Sequence, residues 1–401
     1  MSYSNSISHA GIHFKKRSSI INMKEIVITR ISLKYFHYYQ YLIFGFQQLA
    51  ENKKIRFKIE TKTFYEWFFY RFYFIFLGLS KISSKFRDSI PNDYLMEGYF
   101  SDGKKKISFC YDIADSPHYY DIKKLRLVDL YFKAQCPKEF TEEGFELTEN
   151  AILPFPAETL NYLDKIRPSM LAPGFGVNNM FSYKKMKKKY AQMFVKELCH
   201  SRSIMCFFGN SKGPKIVKAH DPDLYTNESH ILGYFGNKVE HPNIKRAIAA
   251  KMISELIPDS DARIIHDGNC DTTHKPGKSP LFIPMKDFPN HISQFKYNLN
   301  ISGHRMSIPY RFIHSFTVGT AILTDQLKLK WYLPFGSEVV ETVEMGYKPS
   351  DKVDWESFKK QIQNLPETNP NEILKSFQEK WSPKAFANYI LTTCENKCSA
   401  I

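Results

Sequence analysis

The chain has 401 residues, enough for about two or three domains. Hydrophobic residues make up 43%, aromatic residues 15% and charged residues 24%, which excludes a wholly disordered protein, a collagen-like fibre and a polytopic membrane protein. Against 41 acidic side chains stand 56 basic ones, a formal net charge of +15 that favours anionic partners: nucleic acid, acidic lipid headgroups or phosphorylated small molecules.

Residues 1–22 are polar, carry Lys15, Lys16 and Arg17, and lack an apolar run of signal-peptide length. They read as a disordered extension, or as translation from an upstream start, ahead of a domain that begins at Met23. Lys24 to Ser32 alternates apolar and polar residues and predicts a strand. Tyr35 to Glu51 follows with a helical pattern and Ile55 to Ile59 with a second strand, a βαβ unit that implies a parallel sheet. Residues 64–79 are crowded with aromatics but interrupted by Glu66 and Arg71, too short a run to span a bilayer. Three readings stay open for it: a buried helix, an interfacial membrane anchor with Arg71 reaching lipid phosphate, or a partner-docking surface.

Ile107 to Tyr111 predicts a strand running into the loop Asp112-Ile-Ala-Asp115-Ser-Pro117-His118, and Leu130 to Gln135 another strand. Pro154 to Gly176 has the composition of an interdomain passage. The Lys184–Lys189 run reads either as a solvated helix face or as attraction to an acidic membrane. A second α/β pattern then starts with an apolar strand, Ile204 to Phe208, ending in Gly209-Asn210. It continues through a helix over His241 to Leu256, a strand over Ala262 to Ile265 ending in His266-Asp267-Gly268, and a strand over Tyr297 to Ile301. A helix over Pro309 to Val318, a strand over Ala321 to Leu323, and helices over 354–364 and 370–394 complete the chain.

The expected fold is α/β, with two Rossmann-like domains facing a cleft and C-terminal helices. The predicted boundaries are an extension at 1–22, an N-terminal Rossmann-like domain at 23–195, a C-terminal Rossmann-like domain at 196–365, and helices at 366–401 packing back on the N-terminal domain. Open α/β sheets bind ligands beyond the carboxyl ends of their strands, so the loops after the strands are where chemistry is sought. Seven cysteines at scattered positions (110, 136, 199, 206, 270, 394 and 398) suit reduced thiols and a cytoplasmic location. Cys394 and Cys398 lack a second Cys or His pair, so no zinc site is expected.

Residues 296–334 carry the most information. The segment has a buried strand, a Ser302-Gly303 turn, Arg305, Ser307 as the expected N-cap, Pro309 in the first helical turn and then Arg311. A helix N-terminus flanked by two guanidinium groups suits a diphosphate. The alternative is an ordinary βαβ crossover with surface arginines. The motif Tyr297-x-Leu299-Asn300-Ile301-x-Gly303, then Ser307-x-Pro309-Tyr310-Arg311-Phe312, Gly319-Thr320-Ala321-Ile322-Leu323 and Trp331-Tyr332-x-Pro334-Phe335, resembles a family signature. It is similar to the C-terminal region of the capsule-associated and protein O-glucosyl/O-xylosyltransferase group, with a looser similarity to exostosin-type glycosyltransferases. The resemblance covers about residues 296–350, and Phe207-Phe208-Gly209-Asn210 is similar to the family's F-x-G turn.

That resemblance implies a GT-B fold and transfer of a sugar from a nucleotide-diphosphate donor without an essential metal or other cofactor. It also implies a glycan or lipid-linked acceptor in a surface polysaccharide such as capsule or O-antigen. It carries donor-binding roles to Gly209, Asn210, Gly303, Ser307, Tyr310 and Arg311. Arg305 joins them by its place on the loop, and His266 and Asp267 by ending a strand of the same sheet, where a plain loop histidine is the alternative. The family's Arg after the F-x-G turn has no counterpart here; Lys212 and Lys215 are the nearest basic residues, with Arg246 the later candidate.

Inverting sugar transfer needs a carboxylate to take the acceptor proton while cations stabilise the departing diphosphate. The loop after residue 111 offers Asp115, preferred because it lies further from the strand, and Asp112. In the alternative these carboxylates cap a turn. Asp221-Pro-Asp223 and Asp259-Ser-Asp261 read as turns rather than metal sites. Peripheral contact with an anionic inner membrane leaflet is expected, and nucleic acid is not. A non-enzymatic protein binding nucleic acid or an anionic surface is the competing reading, weakened by the lack of a recognised nucleic-acid motif. No Walker-type loop supports an NTPase.

Overall fold

The computed structural model describes residues 24–31, 36–52, 54–60, 94–148, 151–172, 231–236, 240–266, 269–270, 291–346 and 351–400. The predicted segments at 1–22, 64–79, 184–189 and 204–210, and Asp267, lie outside them. The strands are β1 (Glu25–Arg30), β2 (Arg56–Ile59), β3 (Leu95–Ser101), β4 (Lys106–Asp112), β5 (Leu130–Lys133), β6 (Cys136–Pro137), β7 (Phe145–Thr148) and β8 (Ala151–Leu153). They continue as β9 (Ile166–Pro168), β10 (Ile231–Gly236), β11 (Asp261–His266), β12 (Asn269–Cys270), β13 (Tyr297–Leu299), β14 (Ala321–Thr324), β15 (Leu329–Lys330) and β16 (Val339–Glu341). The α-helices are α1 (Phe36–Glu51), α2 (Ile122–Leu127), α3 (Glu240–Leu256), α4 (Arg311–Phe316), α5 (Trp355–Gln363), α6 (Pro370–Ser376) and α7 (Pro383–Ala400).

Two six-stranded sheets form, ordered β2-β1-β3-β4-β5-β9 and β12-β11-β10-β13-β14-β16. In the first, β1 pairs in parallel with β2, and β4 with β5 and β5 with β9, as the βαβ pattern predicts. The exception is β3, antiparallel to both its neighbours. Gly98 at its centre is required, because a Cβ there would lie 2.6 Å from the Val27 carbonyl oxygen. All strands of the second sheet run parallel except the edge strand β12. From β10 the chain passes through α3 to β11 on one side, then returns to β13 on the other side of β10. The carboxyl ends of β10 and β13 therefore flank a switch point, where open α/β sheets form crevices.

Three segments differ from their sequence-based reading. Pro154 to Gly176 is not a plain passage: Ile166–Pro168 supplies the edge strand β9. Proline suits that edge, where no further strand needs its N–H. The helix expected over 370–394 is broken at one residue: α6 runs on through a π-helical turn at Phe377–Trp381, Ser382 is extended, and α7 restarts at Pro383. The helix expected over Pro309 to Val318 is the six-residue α4.

The C-terminal helix α7 packs on α1 and on the first sheet, and the approach is close: a Cβ on Gly45 would collide with the Pro383 carbonyl. Lys24 pairs with Glu395 at 2.5 Å, and the Tyr389 hydroxyl donates to the Pro168 carbonyl at 2.8 Å. The Trp331, Tyr332 and Phe335 side chains surround the buried Trp381 ring, and the Tyr41 hydroxyl of α1 donates to the Trp381 carbonyl at 2.6 Å. Much of the Trp-Tyr-x-Pro-Phe motif is thus an aromatic seat for the C-terminal segment, a packing role. A two-stranded link, β6 with β15, joins a segment after β5 to one after β14. No described helix is long and apolar enough to cross a membrane.

Candidate functional site

The site starts from the segment after β13. The Ser302 N–H donates to the Asp325 carboxylate at 2.7 Å, and the Ser302 carbonyl accepts from the Arg246 guanidinium at 2.8 Å. The two peptide groups that flank the Ser302 Cα are thus each held by a charged side chain. The Gly303 N–H donates to the Ser307 carbonyl at 2.8 Å, and a Cβ on Gly303 would lie 2.5 Å from the Ser307 hydroxyl, which would have to turn away. Arg305 (φ 56°) and Met306 (φ 61°) are both left-handed, each costing about 1–2 kcal/mol for a residue with a Cβ. The buried Met306 and Ile308 side chains anchor the turn against that strain.

Ser307 does not cap the helix. Tyr310 is the N-cap, with no side-chain capping bond, and α4 is short. The electrostatics of the turn therefore come from side chains. Arg311, the first residue of α4 and half-buried, donates from Nε to the Asn300 side chain at 3.0 Å. Burial lowers its guanidinium pKa. Burial, and then the positive Arg311 nearby, bring Arg246 down to about 10. Lys245, beside Arg246 on α3, is buried with its Nζ 3.8 Å from the Asp351 carboxylate, and burial lowers its pKa too. A cavity of about 10 Å³, room for a single water, lies between Lys245, Ser302, Gly303, Asp325 and Gly346. Tyr310 is half-buried, its ring 6.1 Å from Tyr38 and 5.7 Å from His314.

The first sheet contributes the loop after β4. Asp112 ends that strand and is completely buried. Its carboxylate accepts from Lys133 Nζ at 2.9 Å, from the Tyr131 hydroxyl at 2.6 Å and from the Ala114 N–H at 2.7 Å. Those bonds fold the start of the loop back onto β5. The Ser307 hydroxyl lies near Asp115 and favours its ionised form, and Arg305 donates to the Ser116 hydroxyl. The Asp115 side chain is exposed to solvent, although protein atoms crowd around it. That crowding is the largest influence on its carboxyl, pushing it up to about 6 against the opposing pull of Ser307, Lys133 and Arg305. Burial, with Arg305 and Lys133 nearby, brings His118 down to about 4, so its imidazole is uncharged at neutral pH.

The structure thus brings Asp115, Arg305 and Ser307 together, with Gly303, Arg246, Tyr310 and Arg311 on or beside the same turn. Asp112 stands apart in its buried ion pair. His266 ends β11. Gly209, Asn210 and Asp267 lie outside the described residues. Asp259 sits in the turn after α3 and Asp261 opens β11. Two residues join the site that sequence reasoning passed over, Lys245 and Gln135. Adjacency to Arg246 was the only signal for Lys245. Gln135 had none, because its partner is backbone: its amide donates to the Ile308 carbonyl at 3.1 Å and accepts from the Ile308 N–H at 2.9 Å.

Fold and site together define an α/β protein with two parallel-rich sheets, in which loops from the carboxyl ends of both meet at a cationic turn. No family model matches the chain, and no curated protein matches it. Among solved structures, the pneumococcal O-GlcNAc transferase GtfA in complex with UDP and GlcNAc is similar at 11% identity and a TM-score of 0.36, over 67% of this chain and 53% of that one. The GtfA/B complex is similar at 10% identity and 0.35, over 76% and 67%. A Staphylococcus aureus TarM variant in complex with fondaparinux, alpha-GlcNAc-glycerol and UDP is similar at 7% identity and 0.37, over 93% and 100%. The aligned part of this chain thus spans about half of the first of these proteins. At these values the likeness carries no argument about function.

Proposed function

We propose that the chain is a glycosyltransferase of the GT-B kind, with a nucleoside-diphosphate sugar lying between the two loops. The observation that carries this reading is one carboxyl group, Asp115, set directly against a turn bearing Arg305 and flanked by Arg311, Arg246 and Lys245. In that arrangement ionised Asp115 takes the proton of the acceptor hydroxyl. The hydroxyl oxygen bonds the anomeric carbon, and the bond from that carbon to the diphosphate breaks. The leaving group departs with the electron pair and is stabilised by the cations of the second sheet. Base and leaving-group cations come from different sheets, and an inverting displacement would set them on opposite faces of the anomeric carbon. The acceptor we assign, a glycan or lipid-linked glycan of a surface polysaccharide such as capsule or O-antigen, rests on the sequence resemblance, as does metal independence; contact with an anionic leaflet rests on the Lys184–Lys189 run and the aromatic sequence at 64–76.

Thermal unfolding with UDP, GDP, CMP and ADP tests the reading. One nucleotide should stabilise the chain by about 2.7 kcal/mol at roughly a hundredfold excess over its Kd. Arg311→Ala should abolish that shift, and Asp115→Asn should keep it while losing sugar transfer. If no nucleotide acts and single-stranded nucleic acid stabilises the chain with steep salt dependence, the reading is wrong.

A further inference from the structure

We propose that Gln135 is a positioning residue that sets the spacing between the Asp115 loop of the first sheet and the Arg305–Ser307 turn of the second. Gln135 is fully buried, and its side chain pairs with both polar groups of the Ile308 backbone. Only a primary amide of this length supplies a donor and an acceptor to one residue's C=O and N–H at once. Asparagine is a methylene too short, and glutamate would turn a carboxylate oxygen on the Ile308 carbonyl.

The neighbouring contacts make this bond pair a ruler. Gln135 lies two residues beyond Lys133, the end of β5, which holds Asp112, and Asp112 in turn holds the Ala114 N–H next to Asp115. On the other side, Ile308 follows Ser307, which lies near Asp115, and is three residues from Arg305, which touches Ser116. Both halves of the site are therefore referenced to the short stretch 133–135. The buried Ile308 side chain prevents the turn from sliding independently of its backbone. Sugar transfer is sensitive to such spacing, since a displacement of about 1 Å costs roughly a hundredfold in rate.

The catalytic consequence rests on the glycosyltransferase reading; the spacing itself does not. The test compares the full chain with Gln135→Met and Gln135→Glu by amide exchange and by initial-rate kinetics with the stabilising donor. The Ile308 amide and those of 303–307 should exchange at least about tenfold faster in both variants, with β4 and α7 unchanged. kcat should fall about a hundredfold with a much smaller rise in the donor KM, because the cations that hold the diphosphate stay in place, a split that general loosening would not produce. Unchanged exchange at 303–308, or loosened exchange with kcat intact, overturns the proposal. So does a loss of protection spread across both sheets in each variant, which would make Gln135 a plain stability residue. A wild-type chain that turns over no donor would remove the glycosyltransferase reading, and the exchange result would still decide whether Gln135 holds the turn.

Discussion

The loop after β4 and the turn after β13 both leave the end of a buried strand, yet different forces hold them. The first is fixed by charge: Asp112 is enclosed by Lys133, Tyr131 and the Ala114 N–H, and no residue of 113–121 has a positive φ. The second is fixed by shape: two adjacent left-handed residues are pinned by buried apolar side chains and by the close approach of Gly303 to Ser307. The contrast explains why two aspartates three residues apart differ so much. Asp112 has its bonding completed by the fold, which leaves Asp115 as the acidic group facing the cations.

The largest effect should follow from breaking the charged anchor. Asp112→Asn leaves the Lys133 ammonium buried without its counter-ion, a loss of about 3–5 kcal/mol. Urea unfolding should show it as a lower midpoint at unchanged slope, and Asp112→Asn with Lys133→Met should recover part of it. A variant as stable as the wild type would mean that the loop is held by something other than this pair.

Asp115 should behave in the opposite way, with a small effect on stability and a large one on rate. Its carboxyl rises to about 6 from an ordinary value near about 3.9, so between those values the folded chain binds more protons than the unfolded one. Stability therefore falls as pH rises through that window, and Asp115→Asn should flatten the fall. Catalysis runs the other way: a base must be ionised, so the rate should climb with pH to a plateau above about 6. Arg305→Ala removes a positive charge that holds the carboxyl down, so the limb should move to higher pH. Asp115→Asn should lower the transfer rate by about 10²–10⁴ at the plateau. An acidic limb that stays in place in Arg305→Ala would separate Asp115 from the rate.

What the sequence discloses follows from where each signal lies. The unit β1-α1-β2 and the helix α3 are carried by local periodicity, and both form where it places them. The strand β3 escapes because Gly98 interrupts its apolar alternation, and the reason for that glycine is a neighbouring strand. Proline near β9 imitates a linker because an edge strand tolerates it. In the site, the aspartates and arginines are visible by residue type. Their division of labour is not, since it depends on Lys133 and Tyr131 reaching Asp112 from the next strand. The left-handed turn is hidden for the same reason: neither Arg305 nor Met306 is a residue that advertises positive φ, and tertiary packing imposes it.

The smallest effect probes that turn directly. Arg305→Ala and Arg305→Gly both lose the guanidinium and its contact with Ser116, so donor binding should weaken equally in the two. Their stabilities should differ, because alanine retains the clash of a Cβ at φ 56° and glycine does not. Arg305→Gly should be the more stable by about 1 kcal/mol. At Ser116, where φ is not positive, the same pair should reverse, with Ser116→Gly less stable than Ser116→Ala by about 0.5–1 kcal/mol. Unfolding midpoints for the four variants measure both differences. Glycine favoured at 305 and alanine at 116 is what a strained turn facing a relaxed loop requires; the same sign at both positions would mean that the two loops are held alike.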